Sequence, residues 1–145
     1  DNMEFFSNSL ECEKAVRTEA VIEAKHTHEE IAKNLNSGVC CFYCNGSDID
    51  AHKKIISFFL QNGMIKKTKT GKLYNISFKY DTQTHDGKYG AEFESKIKLK
   101  DFLNLETGEW LKQININIEE EQQKRYSMEV NIESYSCSSR NWRTY

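Results

Sequence analysis

The chain has 145 residues, with 20 Lys plus Arg against 22 Asp plus Glu, five cysteines and no proline. That length suits one domain with its own core. The near-balanced charge argues against a general nucleic-acid binder, which usually carries a basic excess, and no apolar run approaches the ~20 residues needed to cross a bilayer.

Residues 1–8 read as a loose lead, and the Asp at position 1 is what a removed signal segment or a trimmed chain would leave. Asn8 with Glu11 after it marks a helix start, with Ser9 an equal cap. From there Leu10, Cys12, Ala15, Val16, Ala20 and Ala24 fall at helical spacing, which predicts a helix to about Lys25. Thr27 with Glu30 resembles a second capping box, opening a helix that carries Ile31, Ala32 and Leu35 and stops before Gly38; the two segments could equally be one bent helix. Val39 to Cys44 is a short apolar run that fits a buried strand or an extended segment pinned by disulfides. Asn45-Gly46 ends it. Ser47 or Asp48 then caps an amphipathic helix with His52, Ile55, Ile56, Phe59 and Leu60 on one side, and Asn62-Gly63 ends that helix by the left-handed route. Lys66 to Lys72 reads as a basic, flexible connector.

From Leu73 to Cys137 the apolar residues alternate, which is the period of half-buried strands. Tyr74, Ile76, Phe78 and Tyr80 line one face of a first strand, Phe93, Ile97 and Leu99 a second, Trp110, Ile114, Ile116 and Ile118 a third, and Tyr126, Met128, Val130 and Ile132 a fourth. Asp86-Gly87 is a strong two-residue hairpin signal, and pairing His85 with Lys88 sets Ile76 opposite Ile97. The loop Leu105-Glu106-Thr107-Gly108 sets Ile97 opposite Ile116. Residues 119–125 close the last hairpin and set Ile116 opposite Met128. One apolar row then crosses four strands through Ile76, Ile97, Ile116 and Met128, and its side of the sheet needs a helical cover.

These elements predict a single α+β domain over residues 1–145, with a helical half at 9–63 packed on one face of a four-stranded antiparallel meander at 73–137. The element order resembles that of cystatin-like and nuclear-transport-factor-2-like domains. The resemblance implies an architecture and none of those families' functions, because neither family's motifs are present.

Cys12, Cys40, Cys41, Cys44 and Cys137 are the disulfide candidates, which points to a secreted or periplasmic protein, with the cytoplasm as the alternative. Asn45-Gly46-Ser47 and Asn75-Ile76-Ser77 match the glycosylation tripeptide, a pattern that recurs by chance. Cys41-Phe42-Tyr43-Cys44 precedes a helix, as a thioredoxin-type motif does. The missing proline, the meander and the intervening Asn45-Gly46-Ser47 all oppose that chemistry. His26, His28, Cys41 and Cys44 form the one candidate zinc set, although His-x-His on a helix diverges by about 200°. His52 on the apolar stripe reads first as a core histidine bonded to backbone, and second as a pocket residue with Tyr74, Tyr80 and Tyr126. The lysines at 66, 67, 69 and 72, with Lys53 and Lys54, read as a solvated connector more readily than as a phosphate site.

No Ser/His/Asp ordering or other catalytic set is visible, and no cofactor is implied. The expectation is a small exported, non-catalytic domain that engages another protein as an inhibitor, an immunity-type protein or a part of a secretion assembly. Trp110, Trp142 and Tyr145 are its candidate contact aromatics. A ligand-binding pocket protein or enzyme on a curved sheet is the alternative, and a cytosolic thiol or zinc protein the second. A packed interior beneath the 48–62 helix favours the binding domain; a cavity where His52 meets tyrosine hydroxyls favours the pocket.

Overall fold

The run Val39–Cys44 is apolar at every position, so it can be buried on both faces, and a strand of that kind belongs inside a sheet. In the computed structural model, which describes residues 3–35, 37–46, 48–80, 97–116, 127–135 and 141–144, this run is the middle of β2, Ser37–Asn45. Gly38, Cys40, Phe42 and Cys44 on one face are all buried, and Tyr43 on the other face is buried as well. The remaining elements are α1 (Met3–Arg17), β1 (Glu23–His26), α2 (Glu29–Leu35), α3 (Ile49–Gln61), β3 (Ser77–Tyr80), β4 (Ile97–Lys98), a single 3₁₀ turn (Leu99–Asp101), β5 (Ser127–Tyr135) and β6 (Asn141–Thr144). The protein is thus α+β, and every strand pairing among the described residues is antiparallel.

The meander is not what these residues form. The strand order is β1-β2-β5-β3-β4, with β6 also on β5. β5 pairs with β2 along its whole length, from Ser37 opposite Tyr135 to Asn45 opposite Ser127. The expected faces hold: Val130 stands opposite Phe42 and Ile132 opposite Cys40, all four buried. The expected neighbours do not. Alternation reports which way a side chain points and is silent about which strand lies alongside. With β1 and α2 leading into β2, the plan of helices first and sheet afterwards also falls, and with it the cystatin-like and nuclear-transport-factor-2-like element order.

The row Ile76, Ile97, Ile116, Met128 is likewise not formed. Ile97 stands opposite Phe78, two residues from the expected register, and a shift of two keeps each side chain on its face. Met128 lies between Cys44 and Tyr80 in the sheet. Ile116 belongs to no strand, although it and Ile114 pack on the core. After β4 the chain turns away because side chains take up its backbone donors: Lys98 N donates to Asp101 Oδ2 at 2.9 Å and Lys100 N to Asn75 Oδ1 at 2.8 Å. The register expected around the 105–108 loop survives at one bridge, Leu103 with Trp110, and goes no further among the described residues. The segment 66–72 is a closed turn and not a free connector: Thr68 N donates to Lys72 O, Lys67 bridges Leu73, and Gly71 supplies the positive φ of 86°. Asp86-Gly87, residues 119–125, Tyr126, Cys137 and Tyr145 lie outside the described residues.

The first helix stops at Arg17 and not at Lys25, so Ala20 and Ala24 lie beyond it and Ala24 is in β1. Its end is a Schellman cap, in which Ala20 N donates to Ala15 O and Glu19 N to Val16 O. The residue that must go left-handed there is Glu19, at φ 60°. The second helix is capped by His28, whose ring nitrogen accepts from Glu30 N at 3.3 Å; Thr27, expected as the cap, binds Val39 across the strands. α3 matches its expected span, with the Asp48 carboxylate accepting from Ala51 N at the start and Gly63 at φ 61° after the end.

A non-glycine residue in the left-handed region is strained, and glycine relieves that strain. Glu19→Gly should therefore raise stability by roughly 0.5–1 kcal/mol, read as a higher urea midpoint with an unchanged slope. An unchanged or lower midpoint would mean that Glu19 makes a compensating contact.

Candidate functional site

α3 presents His52, Ile55, Ile56, Phe58 and Phe59 to the interior, all buried. Phe42 of β2 meets Phe59 edge-on at 5.1 Å between ring centroids and Phe58 at 6.3 Å. One turn before, the His52 ring lies 5.1 Å from that of Phe78 and stacks on Phe102 at 5.9 Å and 17°. His52 is 0% exposed. Its Nδ1 donates to Asp48 O at 2.7 Å, since a carbonyl oxygen can only accept. Nε2 then carries the lone pair and has no hydrogen-bond partner among the described residues. Burial in this aromatic slot lowers the His52 pKa below its ordinary value, while the Asp48 carbonyl and carboxylate act in the opposite sense.

Of the expected pocket set, Tyr74 is exposed, with Lys66 Nζ over its ring at 5.7 Å, and does not converge on His52. Tyr126 lies outside the described residues, and Tyr80 is placed in β3 by its backbone. Phe102 is the neighbour of His52 that sequence reasoning missed, because 99–103 read as the end of a strand.

A concavity does exist elsewhere. A cleft of about 370 Å³ lies between the end of α3, the 65–73 turn and the 105–108 loop, with Phe59, Ile65, Leu73 and Leu105 in its lining. Lys67 and Glu106 give it polar edges, and Glu106 pairs with Lys72 at 3.2 Å. Trp110 follows directly on the loop that forms one wall, and it is 40% exposed beside the exposed Leu111. Trp142 is in β6 opposite Ser134.

The zinc set is not brought together. Cys41 and Cys44 are an odd number of residues apart in one strand and so face opposite sides of the sheet. His26 is exposed, and its Nδ1 donates to the neighbouring Thr27 carbonyl; His28 is the α2 cap. Among the described residues no group of three or more His, Cys, Asp or Glu is arranged to hold a metal ion. The same opposed faces defeat a thioredoxin-type reading of Cys41 and Cys44.

No disulfide joins the described cysteines Cys12, Cys40, Cys41 and Cys44. Burial, with the Asp48 charge second, pushes the Cys44 thiol up to about 12. Glu11, expected in the first turn of a helix starting at Asn8 or Ser9, lies in the middle of α1, which starts at Met3, and is buried at 4% exposure. No family model matches the chain, and neither a curated protein nor a solved structure matches it. No described helix is long and apolar enough to cross a membrane.

A histidine whose folded pKa is lowered leaves stability intact above its unfolded value near 6.5 and loses it as pH falls towards the depressed folded value. Between pH 8 and 5 the urea midpoint should therefore hold to about pH 7 and then decline. His52→Leu should flatten that decline, and a decline that persists unchanged would assign it to another group.

Proposed function

We propose that the chain is a small exported, non-catalytic domain that engages a protein partner through the surface around Trp110. The observation that carries this reading is the slot around His52. The one polar side chain on the α3 stripe is fully buried between Phe78 and Phe102, and it is not in the lining of the cleft seen among the described residues. The interior beneath α3 is filled by side chains, as a scaffold needs and an enclosing carrier does not.

Trp110 supports the same reading. Trp110 is 40% exposed, and tryptophan is among the residue types that most often dominate a protein interface. Leu111, next in sequence, is exposed as well, and the cleft walled by the 105–108 loop would receive a partner's side chain. Trp142 and Tyr145 remain candidate contacts from their residue type alone. The export part of the proposal rests on the cysteine content.

The cleft favours one second reading, a pocket for a small apolar ligand with a charged end, held near Lys67 and Glu106. It does not involve the His52 and tyrosine set.

Trp110→Ala separates the two. A protein captured in stoichiometric amount by the wild-type chain should bind this variant at least tenfold more weakly, as loss of an interface anchor predicts. The thermal midpoint should stay within a degree or two, and Lys54→Ala should bind as wild type does. Retention of a small molecule by the wild-type chain in native mass spectrometry, with capture unaffected by Trp110→Ala, would favour the pocket and defeat the proposal.

A further inference from the structure

The cleft between the end of α3, the 65–73 turn and the 105–108 loop has a floor that belongs to the core. Phe59, Ile65 and Leu73 are buried members of the core cluster, and Leu60 and Leu105 pack against it. The walls above that floor are tied by hydrogen bonds. Leu73 N donates to Leu105 O at 2.8 Å, which joins the turn to the loop. Asn104 Oδ1 accepts from Glu106 N and Thr107 N, at 2.9 and 3.3 Å, and Asn104 O accepts from Gly108 N at 2.7 Å. Gly63, Gly71 and Gly108 put no side chain into the space, and a Cβ at Gly63 or Gly71 would meet nothing within 4 Å. The cleft is therefore preformed, and it lies open to solvent on one side.

Its chemistry follows from which groups already have partners. The backbone N–H groups of Gly63, Gly71, Glu106, Thr107 and Gly108 all donate within the walls, so these positions do not cradle an anion as a phosphate-binding loop does. Glu106 is paired with Lys72 at 3.2 Å, and Lys66 lies over the Tyr74 ring. Lys67 is the one cation in the lining, is exposed, and forms no ion pair among the described residues. An apolar floor beside an uncompensated ammonium is complementary to an apolar group that carries a negative charge.

We propose that the cleft takes one large aliphatic or aromatic side chain of the protein partner, with a carboxylate of the same segment held by Lys67. The volume of about 370 Å³ is near the lower end of the roughly 300–1,000 Å³ of ligand pockets. That is room for a single side chain and the backbone that bears it. A carrier encloses its ligand. This cleft leaves one side uncovered, and Trp110 follows closely on the loop that walls it. A group seated in the cleft therefore stays joined to the chain that covers Trp110. Because Glu106 is already paired, the unmet charge is positive, and it selects an acidic segment over a basic one. The inference rests on the partner-binding reading for the source of the group, and on the cleft alone for its chemistry.

N-acetyl-L-leucine, one apolar side chain beside one carboxylate, is the probe. Titrated into the isotope-labelled full chain, it should move the amide signals of Gly63, Gly71 and Gly108, with a Kd on the order of millimolar. N-acetyl-L-leucinamide, which lacks the charge, should bind about threefold more weakly, as loss of an exposed ion pair predicts. N-acetylglycine should leave the three signals in place. Lys67→Gln should erase the difference between acid and amide, and Lys69→Gln should keep it. The proposal is overturned by no movement of the three signals, by amide binding as tight as acid binding, or by a difference that survives Lys67→Gln. A small carboxylic acid retained by the purified chain in native mass spectrometry would also overturn it, in favour of a carrier. Trp110→Ala should leave the titration unchanged, because Trp110 is not in the lining. Failed capture with an intact titration thus defeats the partner reading alone, and intact capture with a failed titration defeats this inference alone.

Discussion

The ladder between β2 and β5 is the constraint on which the other contacts depend. It pairs two nine-residue strands end to end and sets Phe42 opposite Val130 and Cys40 opposite Ile132. Phe42 then offers its ring to Phe58 and Phe59 of α3. α3 is thus fastened to β2 through a particular buried residue. The segments are far apart in sequence, so the loop-closure cost of bringing them together is met by burying an apolar face on each.

The two helix ends show how one backbone geometry can be plain in one sequence and hidden in another. α1 and α3 both finish in a Schellman cap, Ala20 to Ala15 in the first and Met64 to Phe59 in the second. The left-handed residue is Gly63 after α3 and Glu19 after α1. Glycine announces such a position because it alone reaches it without steric cost. Glu19 announces nothing, so the alanines beyond it continued the helical spacing on paper while the chain had already turned towards β1.

The interior beneath α3 and the cleft beside it differ in kind. His52 is fully buried, held by its own helix's carbonyl and two aromatic rings. The cleft is built from the end of α3 and two connections with little regular structure of their own, the 65–73 turn and the 105–108 loop. Concave surface therefore arises where connections meet, and the packed core serves to hold those connections in place.

Residue pattern by itself determined the local facts. It gave α3 between the Asp48 cap and Gly63, a buried strand at 39–44, a backbone-bonded His52, and the inward positions Ile76 just before β3, Phe78 in β3, and Val130 and Ile132 in β5. These follow from the few bonds around each residue, and periodicity and cap chemistry report them directly. Only the tertiary structure decided that β5 lies beside β2 and not beside the segment 110–116, and that Phe102 stacks on His52. Those depend on which of several equally apolar partners gives the best total burial, and alternation, which has the same period in every strand, does not distinguish among them.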